Sequence, residues 1–298
     1  MQSAGKGPWL ALCIGVGVVS TAALLIRWAL QEGASALEIA AARLCLAALA
    51  VWPIALWTHG QGAIAQLLRT ADPTLLRWTL VAGLSLAAHF ALWISSLDHT
   101  SVASSVALVT TNPIWVALAA WLWLGERPGR KLWIAIGLSM LGSLLISWKD
   151  LQAQASDSEL WGNLLALMGA MAMSGYMLAA KVVQERRPDL PLLPYVAAVY
   201  SLAAFALTLM LSTLARPWWH VSSAVWPALL LLALGPQLIG HTLINFALRK
   251  LSPTLVAIAI LGEPIAAALL AWFLLAESLA PGQLVGFALI IIAVLLAR

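Results

Sequence analysis

The 298-residue sequence is poor in charge: Asp, Glu, Lys and Arg make up 9% of it, whereas 62% is hydrophobic. A water-soluble domain of this composition would have too little polar surface to stay dispersed, so the chain is predicted to be a polytopic membrane protein. The net charge of +4 does not indicate a nucleic-acid partner, because the basic residues lie between apolar runs and form no stripe. We interpret them as topology signals.

Cysteines and catalytic motifs are also scarce. Cys13 and Cys45 both fall inside apolar runs without metal-ligand spacing, so neither a disulfide nor a metal site is predicted. The sequence has no HExxH motif, no paired-Asp motif and no nucleophile with an accompanying base, which argues against an intramembrane enzyme. It also lacks a Walker motif and a glycine-rich phosphate loop, so we predict no cofactor and no direct use of ATP.

Long apolar runs dominate what is present. Cutting the chain at its charged and turn-rich breaks gives ten segments of about 20 residues, the length that a helix needs to cross the hydrocarbon. The fold class is therefore predicted to be an all-α membrane protein with ten transmembrane helices. The segments are residues 9–30, 36–58, 75–97, 101–125, 130–148, 160–182, 191–214, 222–248, 251–276 and 279–297.

The distribution of Lys and Arg predicts orientation. Twelve of these residues flank the segments on one side of the membrane, and only Arg27, Lys149 and Arg216 flank them on the other. Since cytoplasmic loops retain basic residues, both termini are expected in the cytoplasm of a protein in the plasma membrane, the inner membrane of a bacterium.

An internal duplication relates the two halves. Residues 100–126 and 251–277 align without gaps at a shift of 151, which places Pro113 on Pro264 and Asn112 on Glu263. A repeat of five helices is odd, so its second copy enters the membrane from the opposite face. We therefore predict two inverted five-helix repeats around a central cavity, residues 1–150 and residues 151–298.

Glu263 is a carboxylate in the middle of an apolar run, where an ionised group costs at least ~2.5 kcal/mol and is a functional candidate by default. Pro264 follows it, so the helix should kink there and leave a carbonyl free. Asn112 before Pro113 is the uncharged counterpart. One hypothesis is that Glu263 exchanges a proton with substrate. The alternative is that a protonated Glu263 only hydrogen-bonds the freed carbonyl.

Other polar residues recur at helical spacing. Gln237, His241 and Asn245 follow each other every four residues on the eighth helix, where Pro236 breaks the helix just before His241. Ser85, His89 and Trp93 repeat the pattern on the third helix. These faces should turn toward a cavity, and the alternative is that they form hydrogen bonds between packed helices.

Three further residues inside the apolar runs are of interest. Trp115 and Tyr176 are candidates for the cavity wall or for ordinary core packing. Arg43 is an intramembrane charge with no local carboxylate partner, and we expect it to cap free carbonyls.

The paired five-helix halves, the run GERPGRKLWIAIGLSMLGSLLI after the fourth helix and AARLCLAAL in the second resemble the drug/metabolite transporter superfamily, specifically its ten-helix EamA type. The resemblance implies a basket of inverted repeats that moves amino acids, amines, nucleotide-type metabolites or drugs, often outward. It also implies that the fourth and ninth helices line the cavity, with Asn112, Pro113, Glu263 and Pro264 as lining positions.

These observations predict a secondary transporter that exports a small metabolite, such as an amino acid or amine, by alternating access. Its partners would be the small-molecule substrate and the lipid bilayer, with a proton as a candidate coupling ion, and the oligomeric state stays open. A flippase for lipid-linked substrates or a channel is the alternative, and an intramembrane enzyme is the third hypothesis.

Overall fold

The computed structural model describes residues 6–69, 73–100, 102–125, 127–146, 157–214, 217–266, 269–270 and 281–297, and these residues form ten helical segments and no strand. We number the segments in chain order. Segment 1 comprises Lys6–Val19 and Ala22–Gln31, segment 2 Ala36–Arg69, segment 3 Pro73–Ser96, segment 4 Val102–Val109 and Asn112–Leu124, segment 5 Arg130–Ile146, segment 6 Asp157–Arg186, segment 7 Leu192–Thr213, segment 8 Trp226–Leu232, Ala233–His241 and Thr242–Leu248, segment 9 Pro253–Ala266, and segment 10 Pro281–Ala297.

The prediction of an all-α polytopic membrane protein is confirmed. Seven of the described segments are long and apolar enough to cross a membrane, judged by length and composition. The other three, segments 5, 9 and 10, are shorter and border residues outside the described ranges. Two positions of the duplicated stretch, Glu126 and Glu277, also lie outside those ranges.

Side-chain caps fix where two of the segments begin. Before segment 2, the Glu38 carboxylate accepts a hydrogen bond from the Ser35 amide at 2.7 Å, and the Ser35 hydroxyl accepts one from the Glu38 amide at 3.4 Å. This is a reciprocal capping box. Segment 9 begins with the Ser252 hydroxyl accepting from the Leu255 amide and with Pro253 at its first turn, where the missing N–H is not needed.

Segments 4 and 9 are both interrupted, as the sequence predicted. The α-helical hydrogen bonding of segment 4 stops at Thr110 and Thr111 and resumes at Asn112, while that of segment 9 stops at Leu261 and Gly262 and resumes one residue later. In each case the proline that follows lacks an N–H and its ring excludes the carbonyl four residues earlier. These two breaks therefore lie at equivalent positions of the two repeats.

The packing of the segments is symmetric between the halves. Segment 3 packs on segment 6 and its counterpart, segment 8, packs on segment 1. Segments 2 and 7, 4 and 9, and 5 and 10 pack as pairs of counterparts. An exchange of the two halves therefore preserves the arrangement, which is what a pseudo-twofold relation between two repeats requires.

Small residues allow the closest of these approaches. A Cβ atom added at Gly142 of segment 5 would lie 2.7 Å from the carbonyl oxygen of Gly286 in segment 10, and one added at Gly286 would lie 2.6 Å from that of Gly142. The positions related to this pair by the 151-residue shift are Ala293 and Ala135, both fully buried in one small cluster. Such contacts drive helix association in lipid, where apolar burial alone gives little.

Candidate functional site

A small cavity lies between the two halves, beside the two helix breaks. Its volume is about 40 Å³, enough for about three water molecules at ~10–15 Å³ each. Segments 1, 3, 4, 6, 8 and 9 contribute to its wall. The lining residues are Val19, His89, Trp93, Val109, Thr110, Asn112, Met173, His241, Ile244, Ile260 and Glu263.

The cavity wall reflects the duplication. Three pairs of lining residues are separated by the same 151 residues that align the two halves: Trp93 with Ile244, Val109 with Ile260, and Asn112 with Glu263. Equivalent residues of two repeats can face one small space only when the axis that relates the repeats passes through or beside it. The cavity therefore lies at the pseudo-twofold axis.

Phe90 and His241 locate this axis more closely. They are also 151 residues apart, and their rings contact each other edge to face with centroids 5.4 Å apart. Both side chains are buried. Two equivalent residues that contact each other must lie next to the axis.

Asn112 and Glu263 occupy the residue before proline in each break. The side-chain amide of Asn112 donates to the sulfur of Met177 at 3.8 Å, its backbone carbonyl accepts from the Ser174 hydroxyl at 3.2 Å, and its side-chain oxygen lacks a hydrogen-bond partner among the described residues. Glu263 is partly exposed to the cavity, and its carboxylate has no ion pair or hydrogen bond in the described part of the chain.

Two histidines complete the polar part of the wall. His89 of segment 3 bonds through Nδ1 to the carbonyl of Gly169 at 3.0 Å and stacks on Trp93 with ring centroids 5.7 Å apart. The Nδ1 atom of His241 has no partner within the described residues. His241 ends a π-helical stretch, Ala233–His241, which contains Pro236. The missing N–H of this proline favours the wider hydrogen-bonding pattern there.

The structure does not bring every candidate residue to the cavity. Gln237 and Asn245 are fully buried and are not among the lining residues. Gln237 and His241 both lie in the π-helical stretch, whose turns hold more residues than α-helical turns, so the four-residue spacing between them no longer defines one face. The Asn245 amide donates to the Tyr176 hydroxyl and to the His241 carbonyl, the second bond being 2.9 Å long. Trp115 donates to the Thr111 hydroxyl at 3.1 Å and lies outside the lining set.

The expectation that Arg43 caps free carbonyls is wrong. None of its three guanidinium nitrogens has a hydrogen-bond partner among the described residues, although the side chain is fully buried. The guanidinium carbon instead lies 4.0 Å from the centroid of the Phe90 ring.

Sequence reasoning missed several lining residues, and the duplication could have identified some of them. The 151-residue shift pairs Ile244 with Trp93, and it pairs Val109 with Ile260 within the duplicated stretch. Val19 and Met173 carry no such signal, because apolar residues on a buried helix face look the same in sequence wherever they point.

Comparison with known proteins gives a consistent result. The family model described as "EamA-like transporter family" matches residues 6–148 and again residues 160–298. A solved crystal structure superposes on the chain with a TM-score of 0.78 at 18% identity, covering 99% of this chain and 97% of the other, which shows a shared fold.

Several curated proteins are similar in sequence. The uncharacterized transporter YwfM of Bacillus subtilis is 26% identical over 221 residues, which cover 73% of this chain and 72% of that protein. The uncharacterized transporter sll1319 of Synechocystis is 26% identical over 206 residues, 67% of this chain and 60% of that protein. A probable 4-amino-4-deoxy-L-arabinose-phosphoundecaprenol flippase subunit ArnE of Yersinia pestis is 33% identical over 73 residues, 24% of this chain and 64% of that protein. These names point to transport rather than catalysis.

Proposed function

The chain belongs to the EamA-like transporter family, and from this premise we propose that it is a secondary transporter that exports a small metabolite with a cationic group. An amino acid or an amine fits this description. The two halves would open the cavity alternately to the two sides of the membrane.

The observation that carries the proposal is the position of Glu263. It is the carboxylate among the lining residues, it lies at a helix break next to the pseudo-twofold axis, and its carboxylate has no hydrogen bond or direct ion pair among the described residues. A residue on the axis is at the same depth from either side, so it can face each side in turn. A carboxylate in this position can exchange a proton for a substrate ammonium group.

The hypothesis that Glu263 only bonds the carbonyl freed by Pro264 has less support. That carbonyl belongs to Ile260, and the described hydrogen bonds do not include one between it and the Glu263 side chain. The cavity volume of about 40 Å³ is smaller than that of an amino acid, so binding of a substrate requires the wall to move.

Replacing Glu263 with Gln tests the proposal, because Gln keeps shape and hydrogen bonding but cannot titrate. A substrate is first found by ligand-induced thermal shifts of the purified protein, since a ligand of the folded state raises its apparent stability. Its transport is then measured in proteoliposomes at several external pH values. Export by the natural protein should accelerate as the outside becomes acidic, because protons enter as substrate leaves. The Glu263→Gln variant should fold but lose transport or its pH dependence.

Glu32→Gln is the matched control, since Glu32 is an exposed carboxylate at the end of segment 1. It should transport with an unchanged pH profile. Normal transport and pH dependence in Glu263→Gln would show that the carboxylate is structural and that the proposed mechanism is wrong.

A flippase for lipid-linked substrates is the second candidate, and it is favoured by the similarity to ArnE together with a groove on the outside of segment 1. The groove has a volume of about 390 Å³ and is lined almost entirely by apolar residues of segments 1, 9 and 10. One lining residue, Gly262, is adjacent to Glu263, so an acyl or prenyl chain in the groove would place its polar head near the carboxylate. Thermal stabilisation by polyprenyl-phosphate sugars, but not by water-soluble metabolites, would favour this function over the first.

A further inference from the structure

Arg43 is a buried charge that the proposed function does not use. Its guanidinium stacks on the Phe90 ring, a cation–π contact that occupies one face of the group and none of its N–H donors. All three nitrogens lack hydrogen-bond partners among the described residues. A buried guanidinium without hydrogen-bond partners costs free energy in a membrane. We therefore expect its donors to bind an acceptor that the described residues do not supply.

Three titratable residues that line the cavity lie within electrostatic range of Arg43. Arg43 interacts electrostatically with Tyr200 and with the lining residues Glu263, His89 and His241. No direct ion pair joins Glu263 to Arg43 within the described ranges. The guanidinium and the carboxylate therefore lie near each other without neutralising each other by contact.

Phe90 contacts both Arg43 and residues of the cavity wall. The guanidinium carbon of Arg43 lies 4.0 Å from the centroid of the Phe90 ring, and that centroid lies 4.8 Å from the centroid of His89 and 5.4 Å from the centroid of His241, both of which line the cavity. Neither Phe90 nor Arg43 is among the lining residues. Displacement of this ring would both enlarge a cavity that is too small for a metabolite and expose the guanidinium to it.

Two hydrogen-bond donors without partners belong to residues in this region. The indole N–H of Trp93, a lining residue, is unpaired in the described structure, as is the side-chain amide of Gln237. Tyr200 connects Gln237 to the group around Arg43, since its hydroxyl donates to the Gln237 backbone carbonyl at 3.0 Å. Donors around a guanidinium fork match an oxygen-rich anionic group such as a carboxylate.

We infer that Arg43 is the anion-binding residue of the transport site, and that the substrate is a zwitterion whose anionic group pairs with Arg43 once Phe90 moves aside while its cationic group faces Glu263. This inference rests on the proposed function and narrows its substrate class. It distinguishes amino-acid-type zwitterions from simple amines, which Glu263 alone would accept.

The test uses matched ligands that differ by one charge. The purified full chain is screened by thermal shift against the twenty L-amino acids, against the amines that remain when their carboxyl groups are removed, and against the acids that remain when their amino groups are removed. At least one amino acid should stabilise the protein more than both of its partners. If no amino acid stabilises it, or if the amines always stabilise it as well, the inference is wrong.

Variants of Arg43 then assign the effect to this residue. Arg43→Met removes the charge and the donors while keeping the length of the side chain, and it should weaken binding of the best amino acid at least about tenfold without weakening binding of its amine. Arg43→Lys keeps the charge but loses the planar fork, so its affinity for the amino acid should lie between those of the natural protein and Arg43→Met. The Lys variant is used alone if the Met variant does not fold. Arg27→Met is the control, because Arg27 is an exposed arginine of segment 1.

The outcome separates this inference from the proposed function. If Arg43→Met or Arg43→Lys keeps the natural preference for the amino acid over its amine, Arg43 does not bind the anionic group. Transport that depends on Glu263 would still support the proposed function in that case. If Glu263→Gln transports normally with an unchanged pH profile while the Arg43 variants lose the preference, the proposed proton-exchange role of Glu263 is wrong and the anion-binding role of Arg43 stands.

Discussion

The residues at the pseudo-twofold axis differ between the halves in one respect. Phe90 and Asn112 of the first half are not ionisable, whereas their counterparts His241 and Glu263 are. The equivalent pairs therefore share a backbone position and differ in chemistry. We expect substrate recognition to depend more on the second-half member of each pair.

Cysteine labelling tests the placement of these residues. In a background in which Cys13 and Cys45 are replaced, His241→Cys should react with a small water-soluble thiol reagent and be protected by substrate, because His241 lines the cavity. Gln237→Cys is the control. Gln237 is fully buried and lies outside the lining set, so its cysteine should react much more slowly. Equal rates at both positions would argue against a defined cavity face on segment 8.

The helical elements are distinguished by how closely they pack. Segments 5 and 10 approach each other through Gly142 and Gly286, where backbone meets backbone. By contrast, Gly137 on segment 5 has open space around its missing Cβ. The two glycines of segment 5 thus form a matched pair for substitution.

Gly142→Ala should lower the free energy of unfolding by ~1–3 kcal/mol, because its methyl group would meet the Gly286 carbonyl and push the two helices apart. Gly137→Ala should leave stability unchanged or slightly higher, since alanine is the better helix former and nothing obstructs it. The thermal midpoint of the purified protein measures both. A Gly142→Ala protein as stable as Gly137→Ala would mean that segments 5 and 10 are not held at this distance.

At the scale of the whole molecule, the symmetric packing of counterpart segments fits two repeats around one cavity. Their inverted orientation in the membrane is a prediction from the odd number of helices and from the twelve-to-three distribution of Lys and Arg. Reporters fused after Arg130 and after the C-terminus should therefore be cytoplasmic. A reporter fused near Gln154 should be external.

This topology has one outcome that would refute it. If the reporters at the C-terminus and near Gln154 are on the same side of the membrane, an even number of segments separates them. The ten-helix topology and the inverted repeat would then both be wrong.

The sequence by itself determined the class of fold and the two helix breaks beside which the candidate site lies. Helix length, the scarcity of charge and the 151-residue shift are properties of the chain that need no packing information, and they were enough to predict ten helices and the breaks at Pro113 and Pro264. They also predicted that Asn112 and Glu263 would share one site. Both residues are polar, both precede a proline inside an apolar run, and the shift of 151 residues makes them equivalent in the two repeats.

Only the tertiary structure decided which way the remaining side chains point. The four-residue spacing on segment 8 predicted one polar face, but of its three polar residues only His241 lines the cavity, and the π-helical stretch changes the angle between Gln237 and His241. Arg43 has no carboxylate partner on its own helix, so nothing local indicated that its guanidinium packs on Phe90 of segment 3. Contacts between helices depend on the rotation of each helix about its axis, and packing against the neighbouring helices fixes that rotation.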